Sequence, residues 1–267
     1  MSSITTDQGI LHYEVFGRGR PVILLHGWLG SWGLWQETMS FLGQNNYRTY
    51  ALDFWGFGES GRKLDTYQVK DFVALVDQFM DKLGIISCPL VGHSMGGTVS
   101  LLVAMNYPER VQKVTVVGSP IKGTSLAFPL KLAGYPLVAN FLFTFFGAFR
   151  RVMKVASRFI SRDPRFPDMM DKDLSSLTLK SFLLSIASLH RTDLRPNLHN
   201  LSIPVLGMYG DRDNIVSPRE WKTLSDGYPA ARTARFKTAG HFIMLDEPRD
   251  FMNTLKGFLD EPRPEVR

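Results

Sequence analysis

The stretch that most constrains this chain is Val91-Gly92-His93-Ser94-Met95-Gly96-Gly97. An apolar run, Pro89-Leu90-Val91, leads into it, and a helix-forming run from Thr98 to Asn106 leads out. Gly-x-Ser-x-Gly between a strand and a helix specifies a turn so sharp that side chains at 92 and 96 would collide with backbone. Only the serine oxygen projects. It stands at the carboxyl end of the strand and the amino end of the helix, where unpaired N–H groups and the helix dipole favour a developing negative charge. An ordinary Gly/Ser-rich turn carries the same five letters, so the reading depends on what the rest of the chain supplies.

Strand and helix patterns alternate around this turn. Ile4–Thr6 and Leu11–Phe16 flank Asp7-Gln8-Gly9 as a hairpin of two edge strands. Pro21–Leu25 is a short continuous apolar run, expected of a strand buried on both faces, and ends in His26-Gly27-Trp28-Leu29-Gly30. Ser31 can cap a helix running to about Leu42. Tyr47–Leu52 predicts a strand ending in Asp53, and Thr66–Leu83 an amphipathic helix closed by Gly84. Val111–Val117, Ile203–Tyr209 and Ala231–Phe236 predict further strands, and Pro218–Leu224 and Pro248–Leu259 helices. The tail from Glu261 to Pro264 is expected to fray. The single cysteine, Cys88, reads as a small core residue. With 267 residues, one α/β domain with an insertion fits better than two domains. Its sheet should be mainly parallel, with helices on both faces. Ligand sites in such sheets lie at the carboxyl ends of strands. That is where His26-Gly27, Asp53, Ser94, Ser119, Asp213 and His241 fall.

Serine is a poor nucleophile until a base takes its proton, and that base needs an acid to fix its tautomer. There are six histidines. His241, beside Gly240 after the final strand, is the expected base. His12 lies in an edge strand and is expected to be exposed. His190 and His199 belong to the insertion or its exit, His26 precedes a glycine at a strand end, and His93 adjoins the serine facing the wrong way for base chemistry. Two acids follow Tyr209. Asp213 is favoured, being further past the strand end and next to Asn214-Ile215-Val216, which can anchor the loop; Asp211 reads as a loop cap. A tetrahedral intermediate also needs two donors. The backbone N–H groups of Met95 and Trp28 are placed to supply them, leaving both side chains free to line a pocket.

With these motifs in register, the chain resembles the α/β-hydrolase fold superfamily, in its large esterase, lipase and perhydrolase-like group. The resemblance rests on His26-Gly27-Trp28, Asp53-x-x-Gly56-x-Gly58-x-Ser60, Gly92-His93-Ser94-Met95-Gly96-Gly97, Gly210-x-x-Asp213 and Gly240-His241. It covers nearly everything outside residues 122–200. It implies an eight-stranded, mostly parallel sheet, with residues 1–121 and 201–267 as the core and 122–200 as an inserted helical cap. It also implies a serine hydrolase of carboxylic esters with an apolar acyl or alcohol group, acting through an acyl-enzyme. Carbon–carbon bond hydrolases, perhydrolases and acyltransferases share that triad, and a non-enzymatic small-molecule receptor could retain it. His-Gly-Trp in place of His-Gly-Gly-Gly makes bulky tertiary-alcohol esters poorer candidates. Members that cut carbon–halogen bonds or epoxides use an aspartate nucleophile, which Ser94 argues against.

Residues 132–149 carry no charge and match the lower limit of a membrane span. Gly134, Pro136, Asn140, Thr144 and Gly147 argue instead for a lid whose apolar face closes the pocket, with transient membrane contact as a further reading. Phe141, Phe145 and Phe146 are expected in that pocket, with Phe182 and Ile186 from a second helix, Leu174–Leu189, capped by Asp173. The net charge of +6 is concentrated in the insertion, where 12 Lys and Arg face 5 Asp and Glu. Arg151, Lys154 and Arg158 share a helical face, read as solvated or as a landing site for an anionic membrane surface or an acidic carrier protein. The chain also resembles, in its His-Gly-Trp loop and basic cap, the biotin-pathway carboxylesterases, which take an ester on such a carrier. Nucleic acid, metal and cofactor are not expected. The N-terminus lacks the pattern of a signal peptide, so a cytoplasmic location is the expectation.

Overall fold

Continuous apolar runs are stable as strands where helices cover both faces of a sheet, and this chain builds one such sheet. The computed structural model describes residues 2–62 and 65–262. Its strands are β1 (Ser2–Thr6), β2 (Gly9–Gly17), β3 (Arg20–Leu25), β4 (Tyr47–Leu52), β5 (Cys88–His93), β6 (Val111–Val117), β7 (Val205–Gly210) and β8 (Arg232–Phe236). They form one sheet in the order β1-β2-β4-β3-β5-β6-β7-β8. The β1/β2 and β2/β4 pairs are antiparallel; all others are parallel. Along β3, Val22 and Leu24 enter one apolar layer while Ile23 and Leu25 enter the other, all fully buried.

The helices are α1 (Gln36–Gln44), α2 (Val69–Lys82), α3 (Met95–Asn106), α4 (Phe128–Ala133), α5 (Pro136–Thr144), α6 (Phe146–Ala156), α7 (Phe166–Ser175), α8 (Leu179–Arg191), α9 (Glu220–Gly227), α10 (Ile243–Asp246) and α11 (Pro248–Asp260). Met39 and Leu42 of α1 and Phe251, Leu255 and Phe258 of α11 pack in the layer with Val22 and Leu24. Phe72, Val76 and Phe79 of α2 and Val99 and Val103 of α3 pack in the other. Helix α2 begins three residues later than its periodicity suggests. Gln68 and Asp71 close a reciprocal cap there, with the Gln68 N–H donating to Asp71 at 2.6 Å. Cys88 is fully buried, and burial pushes its thiol up to about 12.

The expected fraying is not seen at Glu261, whose carboxylate pairs with Arg232 at 2.6 Å. Its carbonyl accepts from Lys113 Nζ at 2.5 Å, and the same ammonium reaches the Phe258 carbonyl at 2.6 Å. Residues 263 and 264 of that reading lie outside the described residues. His12, expected on an exposed edge, is 4% exposed, because β2 lies between β1 and β4 rather than at the edge.

The insertion between β6 and β7 holds α4 to α8. It opens and closes at one point. Lys122 and Asp193 form an antiparallel bridge, the Gly123 N–H donates to Thr192 O at 2.7 Å, and the Leu194 N–H to Ile121 O at 2.9 Å. The uncharged run 132–149 is split among α4, α5 and α6, and no helix among the described residues is long and apolar enough to cross a membrane. The expected helix 174–189 is likewise two. Thr178 starts α8 by accepting from the Ser181 N–H at 3.0 Å, while Asp173, the expected cap, lies within α7.

Candidate active site

The turn between β5 and α3 is as tight as its glycines require. A Cβ on Gly92 would strike the Gly96 carbonyl, and one on Gly96 would strike the Leu25 carbonyl. Ser94 between them has φ 50 and ψ −118, left-handed backbone held by its N–H donating to Val117 O at 2.8 Å. A non-glycine residue in this region stores strain, which surrounding structure must hold in place. Behind the turn, Gly97 and Thr98 N–H groups donate to Ser94 O, starting α3.

His241 follows β8 on a loop fixed by the Gly240 N–H donating to Asp246 at 2.8 Å. It is 2% exposed, and its Nδ1 lies 2.7 Å from Asp213 Oδ2. Asp213 follows β7, and its other oxygen accepts from the N–H groups of Ile215 at 2.8 Å and Val216 at 2.9 Å. A carboxylate held on both oxygens accepts from Nδ1–H and leaves Nε2 as the lone-pair nitrogen, suited to take a proton.

The loop after β3 supplies another wall. His26 Nδ1–H donates to Gly27 O at 2.7 Å, and the Phe54 N–H donates to His26 Nε2 at 3.0 Å. Burial lowers the His26 pKa, consistent with a neutral ring that both donates and accepts. His26 thus bolts the loop to the end of β4. Gly27 lets the loop approach, since a Cβ there would lie 2.8 Å from His93 Nδ1 and 3.0 Å from Ser94 Cβ. Among the described residues, the backbone N–H groups of Trp28 and Met95 have no protein acceptor. The indole N–H of Trp28 donates to Phe182 O at 3.3 Å.

Ser94 and His241 border one cavity of about 70 Å³. A water needs roughly 10–15 Å³ of such space, so it has room for roughly five to seven groups of water or methylene size. Apart from Ser94, His93 and His241, its lining is apolar: Trp28, Leu29, Ile215 and Phe242 from the core, and Leu126, Leu130, Met153, Ile160, Met170, Ile186 and Leu189 from the insertion. A hydroxyl and a histidine held by a carboxylate, both bordering one apolar recess, are the groups that nucleophilic acyl transfer requires.

Comparison with known proteins agrees with this architecture. A family model described as alpha/beta hydrolase fold matches residues 20–248. The chain belongs to the α/β-hydrolase family. This α/β-hydrolase is 27% identical over 259 residues to a pimeloyl-[acyl-carrier protein] methyl ester esterase of Vibrio campbellii, with 93% of this chain and 98% of that one covered. It is 24% identical over 260 residues to 3-oxoadipate enol-lactonase 2 of Acinetobacter baylyi, with 96% of each covered. In fold it matches the esterase EaEST of Exiguobacterium antarcticum with a TM-score of 0.83 at 21% identity, covering 96% of this chain and 98% of that one. Esterase relatives set the chain among the hydrolases.

Not every residue expected at the site of this α/β-hydrolase lies there. Ser94, His241, Trp28 and Ile186 border the cavity, and Asp213 stands behind His241. Phe141 and Phe145 do not: they are 62% and 56% exposed. Phe146 and Phe182 sit behind the lining, where Phe143 packs against both and Phe182 lies 4.8 Å from the Trp28 ring. Helical periodicity located the apolar residues of the insertion but not which of them turn inward. His93, expected to face the wrong way for base chemistry, borders the cavity 4.6 Å from the His241 ring. Its Nε2–H donates to His241 O at 3.1 Å, and burial followed by the neighbouring imidazole holds its pKa well below the usual range. Asp211, expected as a loop cap, pairs with Arg235 at 2.9 Å. Sequence reasoning missed Leu126, Leu130, Met153, Ile160 and Met170; no pattern separates such aliphatic lining from ordinary core. It also missed the pairing of His12 with Asp53.

Proposed function

We propose that this α/β-hydrolase is a serine esterase that cleaves carboxylic esters with an apolar acyl or alcohol group through an acyl-enzyme. The observation that carries the reading is a serine on a left-handed turn sharing an apolar cavity wall with a histidine whose Nδ1 is engaged by a carboxylate. His241 Nε2 takes the Ser94 proton as Oγ attacks the carbonyl carbon. The carbonyl oxygen gains charge against the amides of Trp28 and Met95. As the intermediate collapses, the bond to the alcohol oxygen breaks and His241 returns the proton to it. Water then attacks the acyl carbon with His241 again as base, releasing the acid and restoring Ser94. Asp213 keeps Nδ1 protonated and steadies the imidazolium throughout.

The size of the cavity favours short to medium acyl chains. The test combines labelling by a fluorophosphonate with turnover of p-nitrophenyl esters of increasing chain length. The label is expected on Ser94, and hydrolysis should fall beyond medium chains. Ser94→Ala should lose labelling and lower kcat/KM by about 10⁴-fold or more with an unchanged circular dichroism spectrum. Labelling elsewhere, or near wild-type turnover by the variant, overturns the reading.

A further inference from the structure

The outer surface of the cap is unusual for a protein in water. Of twelve exposed large apolar side chains among the described residues, nine lie between 128 and 159. Helix α5 buries only Ala139, and α6 buries no residue fully. Large apolar side chains left exposed this densely along one stretch of chain, with the Phe141 and Phe145 rings 5.2 Å apart, mark a surface that is covered in use. The helical segment that begins with α6 has two distinct sides. Phe149 and Met153 face inward, the first packing at Phe182 and the second lining the cavity. Val152, Val155 and Phe159, spaced three and four apart, are exposed, with Phe159 at 82%.

Charge indicates what covers it. Arg150 and Lys154 are drawn aside to Asp171 and Asp168, each at 2.8 Å, so the basic face is smaller than its sequence count. Helix α6 also ends at Ala156, which puts Arg158 on the 3₁₀ turn that follows rather than on α6 itself. Arg151 and Arg158 are exposed and form no ion pair among the described residues. Arg151, Val155 and Arg158 recur at three and four, so these cations border the same apolar strip. An acidic protein would be held chiefly by ion pairs, whereas here large apolar side chains outnumber unpaired cations. Aromatic and aliphatic side chains flanked by a few arginines fit the boundary between acyl chains and anionic headgroups. No described helix can cross the bilayer, so contact is peripheral.

We infer that the outer face of α5, α6 and the turn after it docks this protein on an anionic phospholipid bilayer. The inference stands apart from the esterase reading, because its test measures binding. Full-length protein is co-sedimented with vesicles of phosphatidylcholine alone or mixed with phosphatidylglycerol. Mixed vesicles should bind about tenfold or more tightly than neutral ones, less so as salt rises. Arg151→Glu combined with Arg158→Glu should cost about tenfold or more of that affinity. Phe141→Ser, Phe145→Ser and Phe159→Ser together should remove binding even at low salt. Both variants should keep wild-type hydrolysis of a soluble p-nitrophenyl ester and the wild-type circular dichroism spectrum. No binding to mixed vesicles, or undiminished binding by the phenylalanine variant, overturns the inference. So does a dimer in solution that the phenylalanine variant dissolves, which would assign the face to a second copy. Indifference to vesicles with capture of an acidic acyl carrier protein that the arginine variant loses would overturn it in favour of that partner.

Discussion

Among the described residues, two buried histidine–aspartate pairs have almost the same internal geometry. His241 Nδ1 lies 2.7 Å from Asp213, and His12 Nδ1 lies 2.8 Å from Asp53. Each carboxylate also accepts backbone N–H groups, Asp213 from Ile215 and Val216, Asp53 from Trp32 at 2.7 Å and Glu59 at 2.9 Å. The rings differ in what lies around them. His241 borders a cavity that also holds Ser94. His12 Nε2 meets the carboxylates of Glu14 at 3.4 Å and Glu59 at 3.8 Å. A histidine bound to an acid is therefore a fastener by default. It becomes a candidate base where its second nitrogen has access to a nucleophile and to space for substrate.

The largest contrast should come from removing each acid. Asp213→Asn is expected to lower kcat on a p-nitrophenyl ester by about 10³–10⁴-fold with a modest change in stability. Asp53→Asn should leave kcat within about threefold yet cost about 2–4 kcal/mol in urea unfolding, because it weakens a buried network joining β2, β4 and the loop at Trp32. Loss of activity in a well-folded Asp53→Asn protein would erase the distinction.

A smaller effect concerns Asp173 of α7. Burial pushes its carboxyl up to about 7, against a hydrogen bond from Ser31 and with the Asp53 charge adding to the rise. The folded chain then keeps a proton that the unfolded chain releases, so stability declines as pH climbs from about 4 to about 7. Asp173→Asn should be about 1–3 kcal/mol more stable than wild type at pH 8 and converge with it toward pH 4, measured by urea unfolding. A constant difference at every pH would refute this assignment. The smallest effect sharpens the fastener reading. Burial alone lowers the His12 pKa, but the hydrogen bond and charge of Asp53, with Glu59 and Glu14, raise it overall. Protonated His12 therefore stabilises the fold below the unfolded value of 6.5, and that contribution is lost as pH rises through the raised value. The stability gap between wild type and His12→Gln should narrow from pH 6.5 upward; a gap that widens contradicts it.

Much of the frame was legible because strands buried on both faces leave continuous apolar runs. Tyr47–Leu52 and Val111–Val117 match their strands residue for residue. Ser94, Asp213 and His241 stood out for a related reason: each follows the end of a strand, where polar side chains interrupt the apolar pattern. Two kinds of feature were hidden. The apolar periodicity from Leu174 to Leu189 runs through a helix break that depends on Thr178 turning its hydroxyl to the Ser181 amide. The depth of His12 depends on β2 being covered by β1 on one side and β4 on the other, which neighbouring residues do not encode. Phe141 and Phe145 misled for the opposite reason, because an apolar side chain announces that it needs cover without saying what provides it.

The Lys122–Asp193 bridge brings the two ends of the insertion together. A segment clasped at its base behaves as a cassette: its length can grow, shrink or be exchanged while strand pairing beneath stays in register. Evolution, or an engineer, can thus rework the helices that wall the cavity without rebuilding the sheet that carries Ser94 and His241.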